Sequence, residues 1–276
     1  MSFRSLLYVP ANSERFIAKA HERDADAIIL DLEDAVLPAD KLAARENLAA
    51  VIPSVGRNGA KVFVRINADP DLQTDDAIAA CRAGAFGLYL AKARDPGAIE
   101  TLATRLDAVE TSLNRLALSF VALLEDPGAV LDARAIAKAP RIMALSVGGE
   151  DLALTLGAEP TPDVLRFPKL LVHHAAKAEG KLSFGLMRST ADYSDLEAVR
   201  SAAAEARMHG FDGATCVHPS AVPILNEAFS PSAEELAWAN AVVAASDKAP
   251  AGAFALNGRM IDAPVVARAR RILGED

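Results

Sequence analysis

The sequence predicts an α/β chain folded as a parallel (β/α)8 TIM barrel with a C-terminal helical appendage, and three observations carry that expectation. Eight short apolar runs bounded by turn or cap signals recur between Ser5 and Val217. A stretch with amphipathic helical periodicity follows each of them. Polar residues gather at the C-terminal ends of the runs, where a parallel barrel keeps its chemistry.

The runs are Ser5–Val9, Ala27–Leu32, Val62–Ile66, Gly87–Ala91, Phe120–Leu124, Ile142–Val147, Leu182–Leu186 and Ala214–Val217. Their length and apolar content fit strands covered on both faces. The helical stretches between and after them are Ser13–His21, Asp40–Val51, Asp75–Ala83, Asp95–Ala108, Leu131–Lys138, Pro162–Glu179, Asp195–Met208 and Val222–Ala228. An open doubly wound sheet is the alternative, but it ordinarily needs only about five to seven strands. Residues 1–229 are therefore expected to form the catalytic barrel. Residues 230–276 supply a helix at Ala233–Ala245, an Ala/Pro/Gly linker at Ala249–Ala253 and a last helix after Asp262, an extension placed to act as a lid on a neighbouring subunit.

Composition narrows the function. Against 29 Lys and Arg stand 37 Asp and Glu, a net charge of −8 that repels nucleic-acid backbones and anionic membranes. The 58 alanines and 5% aromatic content describe layers packed closely on small side chains. With no apolar run long enough to span a bilayer and no signal-peptide pattern around Arg4 and Arg15, a cytoplasmic protein is expected. Cys81 and Cys216 lie far apart with no metal-ligand spacing, so both read as buried small hydrophobes.

The strand-end residues form a short set. Asp31, Glu33 and Asp34 follow the second run in DLEDAV, Arg65 and Asn67 end the third, Lys92 ends the fourth, Glu125 the fifth, Glu150 and Asp151 follow the sixth, and His218 ends the eighth. Glu125 and Asp151 are one β/α unit apart, which predicts carboxylates on adjacent strand ends facing one pocket. Two such groups repel unless a cation joins them, and magnesium accepts one or two carboxylates while leaving positions for water and substrate oxygens. A helix-start role for Glu125 and an N-cap role for Asp151 are the competing readings. Arg65 is either a salt-bridge partner of the DLEDAV acids or a clamp on a substrate carboxylate or enolate oxygen. His173 and His174 fall in a helical stretch and face solvent or a helix contact, and His218 reads as a hydrogen-bonding rim residue.

Taken in order, RSLLYVPAN, ADAIILDLEDAV, KVFVRIN, ALLEDP, GGEDLA, HGFDGATCVHPSAV, NEAFSPSAEELAWA and NGRMIDAPVVARARRIL resemble the citrate lyase beta-subunit-like proteins of the HpcH/HpaI aldolase superfamily, with their malyl-CoA and citramalyl-CoA lyases. The resemblance implies a TIM barrel in which Glu125 and Asp151 bind Mg2+, Arg65 and Glu125 border the substrate, and Arg65 holds its keto-acid portion. It implies cleavage of a hydroxyacyl-CoA to acetyl-CoA and a 2-keto acid. Asp262 matches an aspartate thought to handle the enolate proton from an adjacent subunit of a homo-oligomer, with an N-cap as its plain alternative. Arg15 and Lys19 are the cations expected at the phosphates of coenzyme A. Departures fall at Ala11, Ala91, Asp126–Gly128 and Gly185, and leave the metal pair and Arg65 in place. Two further readings stay open: a non-CoA pyruvate or oxaloacetate aldolase, and a lyase subunit working in complex with an acyl-carrier protein.

Overall fold

The computed structural model describes residues 3–248 and 252–275. Two compact units divide the chain, Met1–Phe229 and Ser230–Asp276. In the first, eight parallel strands run in the order β7-β6-β5-β4-β3-β2-β1-β8. They are β1 (Ser5–Pro10), β2 (Ala27–Asp31), β3 (Lys61–Ile66), β4 (Gly87–Leu90), β5 (Ser119–Leu124), β6 (Ile142–Val147), β7 (Leu182–Phe184) and β8 (Ala214–Cys216). A parallel bridge between Phe184 and Gly213 brings the two ends together, and Gly185 N donates to Gly213 O across 2.9 Å. Gly213 is required there, because a Cβ would stand 1.8 Å from the Phe3 carbonyl oxygen. The ring is a nearly closed barrel, as expected, and not an open doubly wound sheet.

Strand pleating sorts each run into two layers. On β2, Ile28 and Leu30 face the surrounding helices, whereas Ala27 and Ile29 face the barrel axis with Leu6, Phe63, Tyr89, Val121, Ala144 and Phe184. Phe3, Phe63, Phe86, Tyr89 and Phe184 meet edge-on or tilted at centroid distances of 5.2–6.1 Å. These contacts plug the interior. The same parity carries Tyr8, Asp31, Arg65 and Glu125 inward at the far end of their strands, so one periodicity builds both the plug and the mouth above it.

The helices are α1 (Glu14–Ala20), α2 (Lys41–Glu46), α3 (Leu48–Val55), α4 (Pro70–Ala83), α5 (Pro96–Ser112), α6 (Pro127–Leu131), α7 (Ala133–Lys138), α8 (Gly149–Leu156), α9 (Pro162–Ala178), α10 (Leu196–Met208) and α11 (Val222–Ala228). Asp95 and Asp195 cap the helices expected to start at them, each accepting from a backbone N–H in the first turn, whereas α4 begins before the expected Asp75, at Pro70 after the Asp69 cap. Differences from the expectation have local causes. The stretch Asp40–Val51 divides at Asn47 and runs on to Val55, and Asp132 separates α6 from α7. The short α8, bounded by Gly148 and Gly157, was hidden between two glycine turns.

The C-terminal unit holds α12 (Ala233–Ser246), the antiparallel pair β9 (Phe254–Leu256) and β10 (Arg259–Ile261), and α13 (Ala263–Leu273). Ser232 and Glu235 close a capping box at the start of α12. The hairpin was not expected from the sequence. Its signal is Asn257-Gly258, both with positive φ, the dipeptide that matches a two-residue turn to strand twist. Of the expected linker, residues 249–251 lie outside the described residues. Ala239, Val242, Ile261 and Ala269 form this unit's own small core.

Candidate active site

A cavity of about 420 Å³ opens at the C-terminal end of the strands, with Tyr8, Asp31, Arg65, Glu125, Asp151 and Lys169 in its wall. On the β2–β3 side, charge is matched. Arg65 donates from Nε to Asp31 Oδ1 at 2.7 Å and from Nη2 to Asp31 Oδ2 at 2.6 Å, while its Nη1 faces Glu33 at 3.0 Å and Asp34 at 3.3 Å. Burial works against the guanidinium's charge, but Asp31 more than offsets it and holds the pKa above the ordinary value. The hydrogen bonds to Asp31 and Asp34 use one N–H each of Nε, Nη2 and Nη1, the Glu33 contact is an ion pair, and the second Nη2 N–H has no partner among the described residues. The Arg65 guanidinium also lies 5.2 Å from the Tyr8 ring centroid.

The acids are fixed in turn. Asp31 accepts from the backbone N–H groups of Glu33 and Ala35, and Glu33 receives the Lys92 ammonium at 2.7 Å. Lys41 donates to the carbonyls of Leu32 and Glu33 and to Asn67, which is itself held by Asp76. Both readings of Arg65 therefore meet in the structure, since the ion pair is present and the side chain still borders the cavity.

On the β5–β6 side, charge is not matched. Glu125 is 5% exposed and its Oε2 accepts from the backbone N–H of Lys92 at 2.7 Å. Lys92 supplies that donor from a left-handed backbone conformation, φ 51°. Burial pushes the Glu125 carboxyl up to about 8 despite that hydrogen bond, and the nearby Asp151 and Glu33 charges add to the rise. Gly148 permits this approach, because a Cβ there would lie 2.5 Å from Glu125 Oε1. Asp151 stands not at a strand end, as expected, but in the first turn of α8, where Gly148 takes the N-cap position. That placement excludes the N-cap reading of Asp151. Among the described residues no side-chain cation is bonded to either carboxylate.

This donor set fits a hard divalent cation. Among the described residues no group of three or more His, Cys, Asp or Glu is arranged to cage a metal. A zinc-type protein site is therefore not formed, whereas magnesium needs only one or two carboxylates and keeps water and substrate oxygens as its other ligands.

Arg15 and Lys19 do not border this cavity. They line a neighbouring one of about 360 Å³ together with Arg23, Tyr193 and His218, and the two cavities share Tyr8, Pro10 and Val217. Tyr193 stacks on the His218 ring at 4.8 Å, and His218 is further tied to Ser220. Asp262 belongs to the C-terminal unit, where its Oδ1 accepts from Val265 N at 3.3 Å and caps α13. His173 packs inside against Phe211, 4.4 Å between centroids, and His174 is exposed. Both cysteines are buried and free.

Three cavity residues were not singled out from the sequence. Tyr8 and Lys169 sit within apolar or helical runs and Ser189 in an irregular loop, so their inward placement depends on closing the barrel. Only the period-2 pattern of β1 could have indicated Tyr8.

Residues 4–219 match the family model described as HpcH/HpaI aldolase/citrate lyase. The chain is 34% identical over 275 residues to a citrate lyase subunit beta-like protein of Mycobacterium tuberculosis (strain CDC 1551 / Oshkosh), covering 97% of this chain and 93% of that one. It is 33% identical over 280 residues to a (3S)-malyl-CoA thioesterase of Cereibacter sphaeroides (strain ATCC 17029 / ATH 2.4.9), covering 99% and 94%. A crystal structure of the Mycobacterium tuberculosis protein CitE in complex with magnesium, acetoacetate and coenzyme A superimposes with a TM-score of 0.80 at 32% identity, over 99% of this chain and 98% of that one. Matched along its barrel and along its whole length, the chain belongs to the HpcH/HpaI aldolase/citrate lyase family and is an enzyme of the carbon–carbon lyase class.

Proposed function

We propose that the protein is a Mg2+-dependent lyase that cleaves a short hydroxyacyl-CoA, of the malyl-CoA or citramalyl-CoA type, to acetyl-CoA and a 2-keto acid. The observation that carries this reading is the unmatched carboxylate pair, Glu125 and Asp151, in one cavity with an arginine locked by Asp31. Glu125 and Asp151 hold the metal, which when bound supplies Lewis-acid stabilisation of oxygen charge.

The remaining work falls to the chain's own groups. Arg65, locked by Asp31, presents its remaining Nη2 N–H to a carboxylate or enolate oxygen of the substrate without having to reorganise. The Tyr8 hydroxyl, its pKa raised chiefly by burial, stays protonated beside it. Arg15 and Lys19 hold the phosphates of coenzyme A in the adjoining cavity, so the thioester reaches the metal side past Tyr8, Pro10 and Val217. Asp262 of a neighbouring subunit in a homo-oligomer handles the proton on the enolate carbon. The magnesium, acetoacetate and coenzyme A bound by the Mycobacterium tuberculosis protein support this assignment of cofactor and carrier.

A second reading is favoured by the (3S)-malyl-CoA thioesterase relative, in which the same cavity would hydrolyse the thioester. One assay separates them. Cleavage of the carbon–carbon bond yields a 2-keto acid and leaves the thioester intact, whereas hydrolysis releases a free thiol and no keto acid. A panel of hydroxyacyl-CoAs, with and without magnesium, is expected to give keto acid without thiol. Thiol release alone would establish hydrolysis, and no turnover of any CoA ester would point to an aldolase of free keto acids or a carrier-protein subunit.

A further inference from the structure

Lys169, on α9, is a buried cation that the proposed chemistry does not use. It is 4% exposed, and its ammonium meets no carboxylate among the described residues. Its Nζ donates to two main-chain carbonyls, Leu186 O at 2.7 Å and Arg188 O at 2.6 Å. Burial pulls its pKa down to about 7, and only the more distant charge of Glu150 works the other way. A methionine of similar length would fill the same space without desolvating a charge, so stability alone is a poor reason for an ammonium here.

The two carbonyls explain what the ammonium does. They belong to the segment that follows β7, residues 186–194, where none of the described residues exchanges a backbone–backbone hydrogen bond. Buried Leu186 and Met187 anchor its start, but the carbonyls on either side of Met187 are satisfied by Lys169. Just beyond, Ser189, Thr190 and Ala191 form a wall of the mouth cavity that Glu125 and Asp151 also border. The Ser189 hydroxyl donates to Glu150, the residue before Asp151. Lys169 therefore ties α9 to the segment, and Ser189 ties the segment to the first turn of α8.

We propose that Lys169 is a positioning residue that fixes the 186–191 wall and thereby sets which acyl group the cavity accepts. The selectivity part rests on the proposed lyase reading; the positioning part does not. An ammonium suits this task because it serves several acceptors at once from a flexible stem, so a segment without strand or helix bonds gains one fixed point deep inside the fold.

The test uses the full chain and two readouts. Arg188 is itself a trypsin site, mostly buried and paired with Asp192. In Lys169→Met, native-state cleavage after Arg188, followed by mass spectrometry, is expected to rise about tenfold or more, the effect of losing a charge-assisted hydrogen bond. The ratio of kcat/KM for malyl-CoA to that for the bulkier citramalyl-CoA is expected to shift about tenfold, the worth of a small change in pocket shape. Lys169→Arg, which keeps the cation, should restore protection at Arg188. Ser189→Ala, which leaves the lysine in place and serves if Lys169→Met does not fold, should shift the ratio in the same direction without opening Arg188. An unchanged cleavage rate in Lys169→Met, or an unchanged substrate ratio in both Lys169→Met and Ser189→Ala, would overturn the proposal. Absence of lyase turnover in the unaltered protein would remove the lyase reading, while the cleavage result would still decide whether Lys169 positions the wall.

Discussion

The two sides of the barrel mouth are built on opposite electrostatic plans. Over β2 and β3, Asp31, Glu33 and Asp34 face Arg65 and Lys92, and each buried charge has a partner within 3.0 Å. Over β5 and β6, Glu125 and Asp151 border one cavity with no side-chain cation bonded to either among the described residues. The first arrangement is complete in the protein alone and rigid. The second is complete only with something positive from outside. A site with both can hold an anionic substrate on a fixed guanidinium while its reacting oxygens meet a metal, which is the division of labour that the proposed carbon–carbon cleavage needs.

The largest effect is expected from breaking the unmatched side. Asp151→Asn keeps the shape of the side chain but removes half of the ligand charge, and should weaken magnesium binding and lower turnover by roughly a thousandfold. Isothermal titration with magnesium and a keto-acid assay check it, and full activity in the presence of chelator would end the metal assignment. Next comes the matched side. Arg65→Lys retains the charge, yet an ammonium cannot fill both bonds to Asp31 and still offer an N–H to substrate. A fall in kcat/KM on the order of a hundredfold is expected with the fold retained. If that variant loses stability while its specific activity stays normal, Arg65 serves the DLEDAV acids and nothing else.

A pH measurement sharpens the comparison without substrate. Glu125 titrates at about 8 in the folded chain against an ordinary value of 4.5. Between those values the folded state holds a proton that the unfolded state has released, so this contribution to stability is full below 4.5 and is lost as pH rises to about 8. Lys169 works oppositely in a higher window, from about 7 up to its ordinary 10.5, so the Glu125 slope is read below pH 7. Burial holds His173 down at about 4, so below pH 6.5 it works against the Glu125 slope. In metal-free protein the Glu125 contribution is therefore read as a difference, the melting temperature of the unaltered chain falling relative to that of Glu125→Gln as pH rises from 4.5 to 7. Magnesium requires the ionised carboxylate, so its binding near neutral pH should release a proton, measurable by titration in buffers of different ionisation enthalpy. Identical pH profiles for Glu125→Gln and the unaltered chain would show that the β5–β6 side is not strained in the way described.

How much of this was legible in the sequence follows from the range of the forces involved. Strand and helix order could be read because pleat and helix periodicities act over a few residues. Arg65, Glu125 and Asp151 could be listed because a parallel barrel concentrates function at its strand ends. The dual part of Arg65 could not be decided, since its five donors are apportioned only when β2 and β3 are side by side. Asp151 was misplaced onto a strand end because α8 starts immediately after the Gly148-Gly149 pair. Lys169 was invisible for a stronger reason: on a helix pattern a lysine reads as solvated, and its burial arises only where α9 meets a segment that begins 17 residues later in the chain. The hairpin, by contrast, has a local signal in Asn257-Gly258.

Neither side of the mouth provides a proton carrier for the enolate carbon. Removing or adding a proton at the enolate carbon needs a group free to exchange it. On the matched side, Asp31 and Glu33 are committed to Arg65 and Lys92, and burial keeps the Tyr8 hydroxyl protonated. On the other side, Glu125 and Asp151 are assigned to the metal and Lys169 to two carbonyls. His218, at the rim, is stacked on Tyr193 and bonded to Ser220. A group from outside the barrel is therefore expected, and Asp262 is the one proposed, acting across a subunit boundary. Its only side-chain hydrogen bond in the described residues is the 3.3 Å contact from Val265 N to Oδ1, which leaves the other carboxylate oxygen available. Mixing Asp262→Ala with Arg65→Ala under conditions of subunit exchange should recover part of the activity that each variant lacks alone, because some sites then combine an intact barrel with an intact arm. An aspartate that only caps α13 would cost about 0.5–2 kcal/mol of stability on substitution, leave turnover close to normal in Asp262→Ala, and show no recovery on mixing. With exchange confirmed by mass spectrometry of the mixed assemblies, that outcome would return Asp262 to the cap and require a proton carrier from the substrate or solvent.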